Sequence, residues 1–326
     1  MRTNVREWLA EMRQRFREDP VRAPLYVVYT WYLVIWYAVT SRMPLGTNVY
    51  ERDWDVLLIL DACRIDTLRE VADEYEFIDD VETMWSVGSQ SDEWMANTFT
   101  EEYRSEIEKT HYVTGNGHAS QLFERHNLPP KNNTTPLDVS RWNLEDLSTF
   151  DAVDMVWQDH HDETYGVALP RSMTDHAIQA SRDNNPDRLM VHYMQPHRPY
   201  IGHAIREGRP PTELEQEGYE QLEAGEADRD VVYDMYRETL RFVLDDIEEL
   251  LENLDAETVA ITADHGESFG ACGAYGHPEG FPYPIVKKVP WVETTATDEH
   301  SREPDVESSQ TDQIDVEEHL EDLGYR

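Results

Sequence analysis

The densest chemistry in the chain lies in Ile261–Gly270, ITADHGESFG. An apolar run ends in Asp264-His265-Gly266-Glu267. Adjacent Asp and His offer an oxygen and an imidazole to one cation, and a glycine after them permits a sharp turn. The same three residues also suit a polar loop with a helix cap. A second apolar run, VLLIL at 56–60, ends in Asp61, with Arg64 and Asp66 just beyond. Two buried strands ending in acids can bring Asp61 beside Asp264 and His265. Arg64 and Asp66 also fit a helix start.

A third segment, SVGSQSDEWMANTF (86–99), puts Ser89 and Ser91 at the start of a helical pattern. A hydroxyl there can face an incoming anion, because free backbone N–H groups point the same way. Contact with a metal would make it a nucleophile. The alternative for either serine is N-capping. HYMQPHRPY (192–200) places His197 between two prolines, and AYGHPEG (274–280) places His277 after a glycine-rich stretch. Both histidines follow strand-like runs on stiff loops.

The positioning elements follow from the periodicity. Short apolar runs at 56–60, 153–157, 189–194 and 258–262 predict buried strands. Helical patterns at about 66–75, 172–183 and 229–253 separate them. The expected fold is α/β, one main domain with a mostly parallel central sheet and helices on both faces. Segments 127–150 and 202–228 predict surface excursions.

The 326 residues carry 67 acidic and 28 basic side chains, a formal charge of −39. Such a body repels phosphate backbones, which excludes general nucleic-acid binding. Only four of the basic residues are lysine, and this bias against an acidic background points to adaptation to high salt. Two cysteines exclude a disulfide-built fold. Residues 1–50 form a separate unit: a basic arm, then an uncharged stretch at 23–41 rich in Tyr and Trp. That stretch fits a helix touching a membrane interface or one packed on the domain's own core; its shortness favours the core. Residues 51–292 form the catalytic unit. Residues 293–326 form an acidic tail, with 316–325 able to dock as a short helix. The expected location is cytoplasmic, with membrane association through 23–41.

Together LLILDACRIDTL, the Ser89 segment, MQPHRPY, ITADHGESFG, YGHPEG, VPWV (289–292) and the terminal LEDLGYR resemble the sulfatase-like branch of the alkaline phosphatase superfamily. The resemblance implies an alkaline phosphatase-like fold and a divalent metal (Zn, Mn, Mg or Ca) held by Asp61, Ser89, Asp264 and His265. It further implies that His197 and His277 flank the transferred group or hold a second metal, and that Arg64 helps neutralise the anion. The substrate would be a phosphate or sulfate ester, glycan- or lipid-linked. True sulfatases need C-x-P-x-R or S-x-P-x-R, whereas this chain has Ser89-Gln90-Ser91-Asp92-Glu93-Trp94. That stretch is more similar to the unmodified nucleophile of phosphoethanolamine transferases and lipoteichoic acid synthases, with Glu93 four residues beyond Ser89. The expected activity is therefore a metal-dependent hydrolase or transferase with Ser89 as nucleophile. A competing expectation is a non-catalytic module that keeps the fold and binds a membrane surface or a partner.

Overall fold

VLLIL at Val56–Leu60 is buried at all five positions, as a strand covered on both faces must be. In the computed structural model, which describes residues 4–306, it lies at the centre of a seven-stranded sheet. The strands are β1 (Val56–Leu60), β2 (Glu82–Trp85), β3 (Thr110–Thr114), β4 (Ala152–Met155), β5 (Arg188–Tyr193), β6 (Ala256–Thr262) and β7 (Lys288–Ala296). Their spatial order is β2-β7-β6-β1-β5-β3-β4. Pairing is parallel from β6 through β1, β5 and β3 to β4, while β7 runs antiparallel to both β6 and β2. The sheet is mostly parallel, as expected for α/β.

Leu60 pairs with Tyr193, and Ile59 pairs with both His192 and Thr262. The carboxyl ends of β5, β1 and β6 therefore stop side by side, where open parallel sheets place their ligands. Helices Pro170–Asn184 and Arg229–Leu251 cover the sheet with apolar rows that include Met173, Ala177, Leu240, Val243 and Ile247. The expected strand at 153–157 is β4 as far as Met155, and Val156 and Trp157 instead open a short helix, Val156–Asp159. The expected helix at 66–75 runs over Ile65–Val71. Segment 202–228 contains three short helices, Gly202–Glu207, Glu213–Gln216 and Gly218–Ala224, rather than open loop.

The N-terminal unit is a helical pair, α1 (Val5–Glu18) and α2 (Ala23–Thr40). Helix α2 lies on the catalytic unit. Leu33, Trp36 and Tyr37 are buried, Trp36 donates to Glu93 Oε1 at 2.6 Å, and Tyr29 donates to the Glu279 carbonyl at 2.7 Å. The acidic tail begins later than its composition indicates. Strand β7 continues to Ala296, and beyond it Asp298 pairs with Arg182 (2.7 Å) and Arg302 with Asp175 (2.9 Å). The helix expected at 316–325 lies outside the described residues.

Candidate active site

Asp61 is the first residue after β1. Its amide donates to the Tyr193 carbonyl (3.1 Å), and its own carbonyl accepts from His197 N (3.1 Å), so the chain end is tied to β5 and to the loop beyond it. Ala62 then adopts φ 60°, a left-handed conformation that is costly for a residue with a Cβ. Three hydrogen bonds hold it there. Ala62 N donates to Asp264 Oδ1 (3.1 Å), Tyr236 OH donates to the Ala62 carbonyl (2.8 Å), and Arg64 N donates to Tyr236 OH (2.8 Å).

Asp264 and His265 follow β6. His265 Nε2 lies 3.6 Å from Asp61 Oδ1 and 3.5 Å from Asp264 Oδ2. Its Nδ1 is 3.0 Å from the Gly266 carbonyl. A carbonyl only accepts, so Nδ1 carries a proton, and Nε2 is the ring atom that faces the two carboxylates. Gly266 has an ordinary φ, and its reason is space. A Cβ there would stand 2.4 Å from the Ile285 carbonyl oxygen.

His192, on β5, completes the group, with Nε2 3.7 Å from Asp264 Oδ2 and 4.0 Å from Asp61 Oδ2. One ligand atom each from Asp61, His192 and Asp264 lie within 4.8 Å of one another. His192 sits inside the apolar run LMVHYM; an imidazole in a strand buried on both faces was the signal that could have found it. Asn116, just beyond β3, donates to Asp61 Oδ2 at 2.7 Å.

The two serines part company. Helix Ser91–Thr98 begins at Ser91, whose Oγ is 3.2 Å from Asp61 Oδ2 and 3.4 Å from His265 Nε2. Ser89 faces the other way: its amide (2.9 Å) and hydroxyl (2.8 Å) both donate to Glu93 Oε2. The sequence points to Ser89 beside the carboxylates, but the structure puts Ser91 there. The four-residue spacing of Ser89 and Glu93 closes a hydrogen-bonded turn. Gly88 allows it, since a Cβ would lie 2.3 Å from Trp94 N.

A second group adjoins the first. One ligand atom each from His197, Glu267 and His277 lie within 4.8 Å of one another. His197 Nδ1 is 2.8 Å from the Arg198 carbonyl and so carries its proton. His197 Nε2 then accepts from His277 Nε2 across 3.0 Å. The His265 and His277 rings are 4.4 Å apart, which makes the two groups one continuous site. Arg64 stands at its edge. The guanidinium pairs with Asp66 and donates to the Glu267 carbonyl at 3.4 Å, without reaching Asp61 or Asp264.

Asp61, His192, His197, Asp264, His265 and Glu267 are each 1% exposed or less, so the site is shut off from bulk water. Burial, then the Asp264 charge, raises Asp61 well above the carboxylate range. Asp264 goes the other way: burial opposes it, but His265, then His192 and Ser91, hold it far below that range. Burial, then Arg198 and His265, lowers His197 to about 3, and burial with His265 and His197 lowers His277 well below its usual value. Both are neutral imidazoles at neutral pH. Burial lifts Glu267 to about 8.

A family model described as Sulfatase matches residues 85–313. The chain belongs to the sulfatase family. Its mostly parallel α/β sheet, with metal-type ligands at the strand ends, is the architecture the motifs imply. This sulfatase-family chain is also similar to the soluble domain of lipooligosaccharide phosphoethanolamine transferase A from Neisseria meningitidis. The two share 15% identity over 74% of this chain and 75% of that one, with a TM-score of 0.48. It matches the integral membrane form of that protein at 16% identity and a TM-score of 0.47, covering 74% of this chain and 47% of the other. It is similar to the lipoteichoic acid synthase LtaP from Listeria monocytogenes at 10% identity and a TM-score of 0.41, over 80% and 71% of the two chains. No curated protein matches. None of this supports the cytoplasmic location expected from the sequence.

Proposed function

We propose that this sulfatase-family protein is a metal-dependent hydrolase or transferase of phosphate or sulfate esters, with Ser91 as its nucleophile. The observation that carries the reading is the Ser91 hydroxyl, 3.2 Å from Asp61 and 3.4 Å from His265 at the start of a helix.

The residues fit a divalent cation. Two buried carboxylates this close repel, and a cation between them relieves the repulsion. Nε2 of His265 already faces them, and its Nδ1 is held by a backbone carbonyl, the usual support of a ligating imidazole. Asp61, Asp264, His265 and His192 would hold the ion, with Ser91 completing the set. The mixed oxygen and nitrogen donors suit Zn or Mn better than an all-oxygen ion such as Ca. Such an ion, when bound, polarises an ester oxygen and lowers the pKa of a neighbouring hydroxyl. His197, Glu267 and His277 form a second place where a cation or the anionic group could sit.

The chain's own residues supply the remainder. Ser91 Oγ attacks the phosphorus or sulfur in line, and its proton lies within reach of Asp61 Oδ2. The His277 Nε2–H, now shared with His197, can donate a hydrogen bond to the oxygen on which charge develops, and the departing alkoxide takes its proton from water. Asn116 fixes the rotamer of Asp61. Water or an acceptor hydroxyl then displaces the group from Ser91. The ester's organic part is taken to be glycan- or lipid-linked.

The test is turnover of aryl phosphate, phosphodiester and sulfate esters by Ser91→Ala and Ser89→Ala, each supplied with Zn²⁺ or Mn²⁺. Ser91→Ala should lose activity by up to about 10⁶-fold, the cost of removing a nucleophile. Ser89→Ala should keep measurable turnover. Activity within tenfold of wild type in Ser91→Ala would refute the assignment.

A further inference from the structure

Sixteen large hydrophobic side chains are exposed among the described residues, and eleven of them lie between Val5 and Leu45. They are not scattered. On α2, Leu25, Val28, Trp31, Ile35 and Val39 recur at three- and four-residue steps and form one face. Helix α1 exposes Val5, Leu9 and Phe16 at helical spacing. A contiguous apolar surface on a soluble chain marks an interaction site.

Another side of α2 is committed to the body over about three turns. Tyr26 donates to Asn133 (2.9 Å), Tyr29 to the Glu279 carbonyl (2.7 Å), and Trp36 to Glu93 (2.6 Å); Tyr32 donates to the Gly280 carbonyl. The helix is long and apolar enough to cross a membrane. A crossing would break all of these bonds and leave Glu93 and the loop after His277 uncovered. A helix bound along its length to a polar domain can instead lie flat at an interface.

Charge narrows the occupant. Within a chain of net charge −39, residues 4–22 carry five arginines against four acids, and Glu11 and Asp19 are each paired with an arginine of the same helix pair. Exposed arginines beside an apolar row with Trp31 match an anionic headgroup layer over an acyl boundary. The acidic body is screened from such a surface beyond about 8–10 Å at moderate salt.

We propose that α1 and α2 seat the protein on an anionic lipid bilayer, with α2 parallel to the surface and its Leu25–Val39 row in the acyl boundary. Trp36 and Glu93 then link this helix to the Ser89 turn that leads to Ser91.

The experiment is flotation of the full chain with vesicles of phosphatidylcholine alone and of phosphatidylcholine with phosphatidylglycerol in equal parts. Wild type should float with the anionic vesicles and much less with the neutral ones. V28E/I35E and R13E/R17E should each lower partitioning by about tenfold or more. Far-UV circular dichroism checks the fold, and R13E/R17E keeps the test open should V28E/I35E fail to fold. No flotation with anionic vesicles overturns the proposal, as does equal flotation of both folded variants. A wild-type dimer that V28E/I35E dissociates, without vesicle binding, would assign the face to a second copy instead. Resistance to an alkaline carbonate wash would show a crossing helix and also overturn it.

Discussion

Asp61, Asp264 and His265 were legible because each stands where an apolar run ends, and the end of a buried strand is fixed by the sheet rather than by local detail. The choice between Ser89 and Ser91 was not legible. It depends on which residue starts helix Ser91–Thr98, and a shift of two residues turns a side chain through more than half a turn of helix. Glu93 decides it by taking both the amide and hydroxyl of Ser89. His192 was hidden because its neighbours define a strand, in which one imidazole attracts no notice. The carboxylates carry a test independent of turnover. An ion that binds only the folded state stabilises it by about 2.7 kcal/mol at a hundredfold excess over its Kd. After treatment with a chelator, added Zn²⁺ or Mn²⁺ should raise the wild-type melting temperature. Asp61→Asn should lose most of that rise, whereas Ser89→Ala should keep it. An equal rise in Asp61→Asn, measured by scanning fluorimetry, would place the ion elsewhere.

At the scale of elements, the runs at 56–60, 189–194 and 258–262 match strands because strands buried on both faces are continuously apolar. Strand β2 escaped because ETMW shows only Met84 to the core, and β3 because THYVT buries threonines and a histidine. No periodicity announces either. The fit of α2 is also a tertiary matter, set by the polar atoms under it. One of them is Glu279, buried between α2 and the loop at 129–133. It accepts from Lys131 N (2.6 Å), Asn132 N (2.8 Å) and Asn133 Nδ2 (2.8 Å). Burial, then the Asp92 charge, raises its pKa from 4.5 to about 7. Between those values the folded state keeps a proton that the unfolded chain has lost, so stability falls as pH rises. The loss should amount to roughly 3 kcal/mol, because every tenfold difference in proton affinity between the two states is worth about 1.4 kcal/mol. Urea unfolding between pH 5 and pH 8 should show this slope in wild type and a flatter one in Glu279→Gln. Parallel slopes would remove Glu279 as the cause.

At the scale of the whole molecule, the chain carries a charge of −39, while the buried site holds its acids beside imidazoles. The two have separate consequences. The site's carboxylates need partners whatever the solvent, whereas the surface acids repel one another only as far as salt allows. At 0.1 M ionic strength the Debye length is about 10 Å, which spans several neighbouring carboxylates; at 1 M it is about 3 Å. The folded state crowds these charges more than the unfolded chain does, so low salt penalises folding. Arginines cannot offset this, since they are outnumbered, and exposed ion pairs such as Arg229–Asp230 are worth about 0–1 kcal/mol each. The melting temperature should therefore climb steadily as KCl rises from 0.1 M to several molar. Sulfate salts stabilise most proteins by exclusion from the surface, so they are the control. A rise in sulfate with none in KCl would mean that charge repulsion does not limit this fold. A melting temperature that falls in KCl would mean that the surface pairs, rather than the excess of acids, dominate.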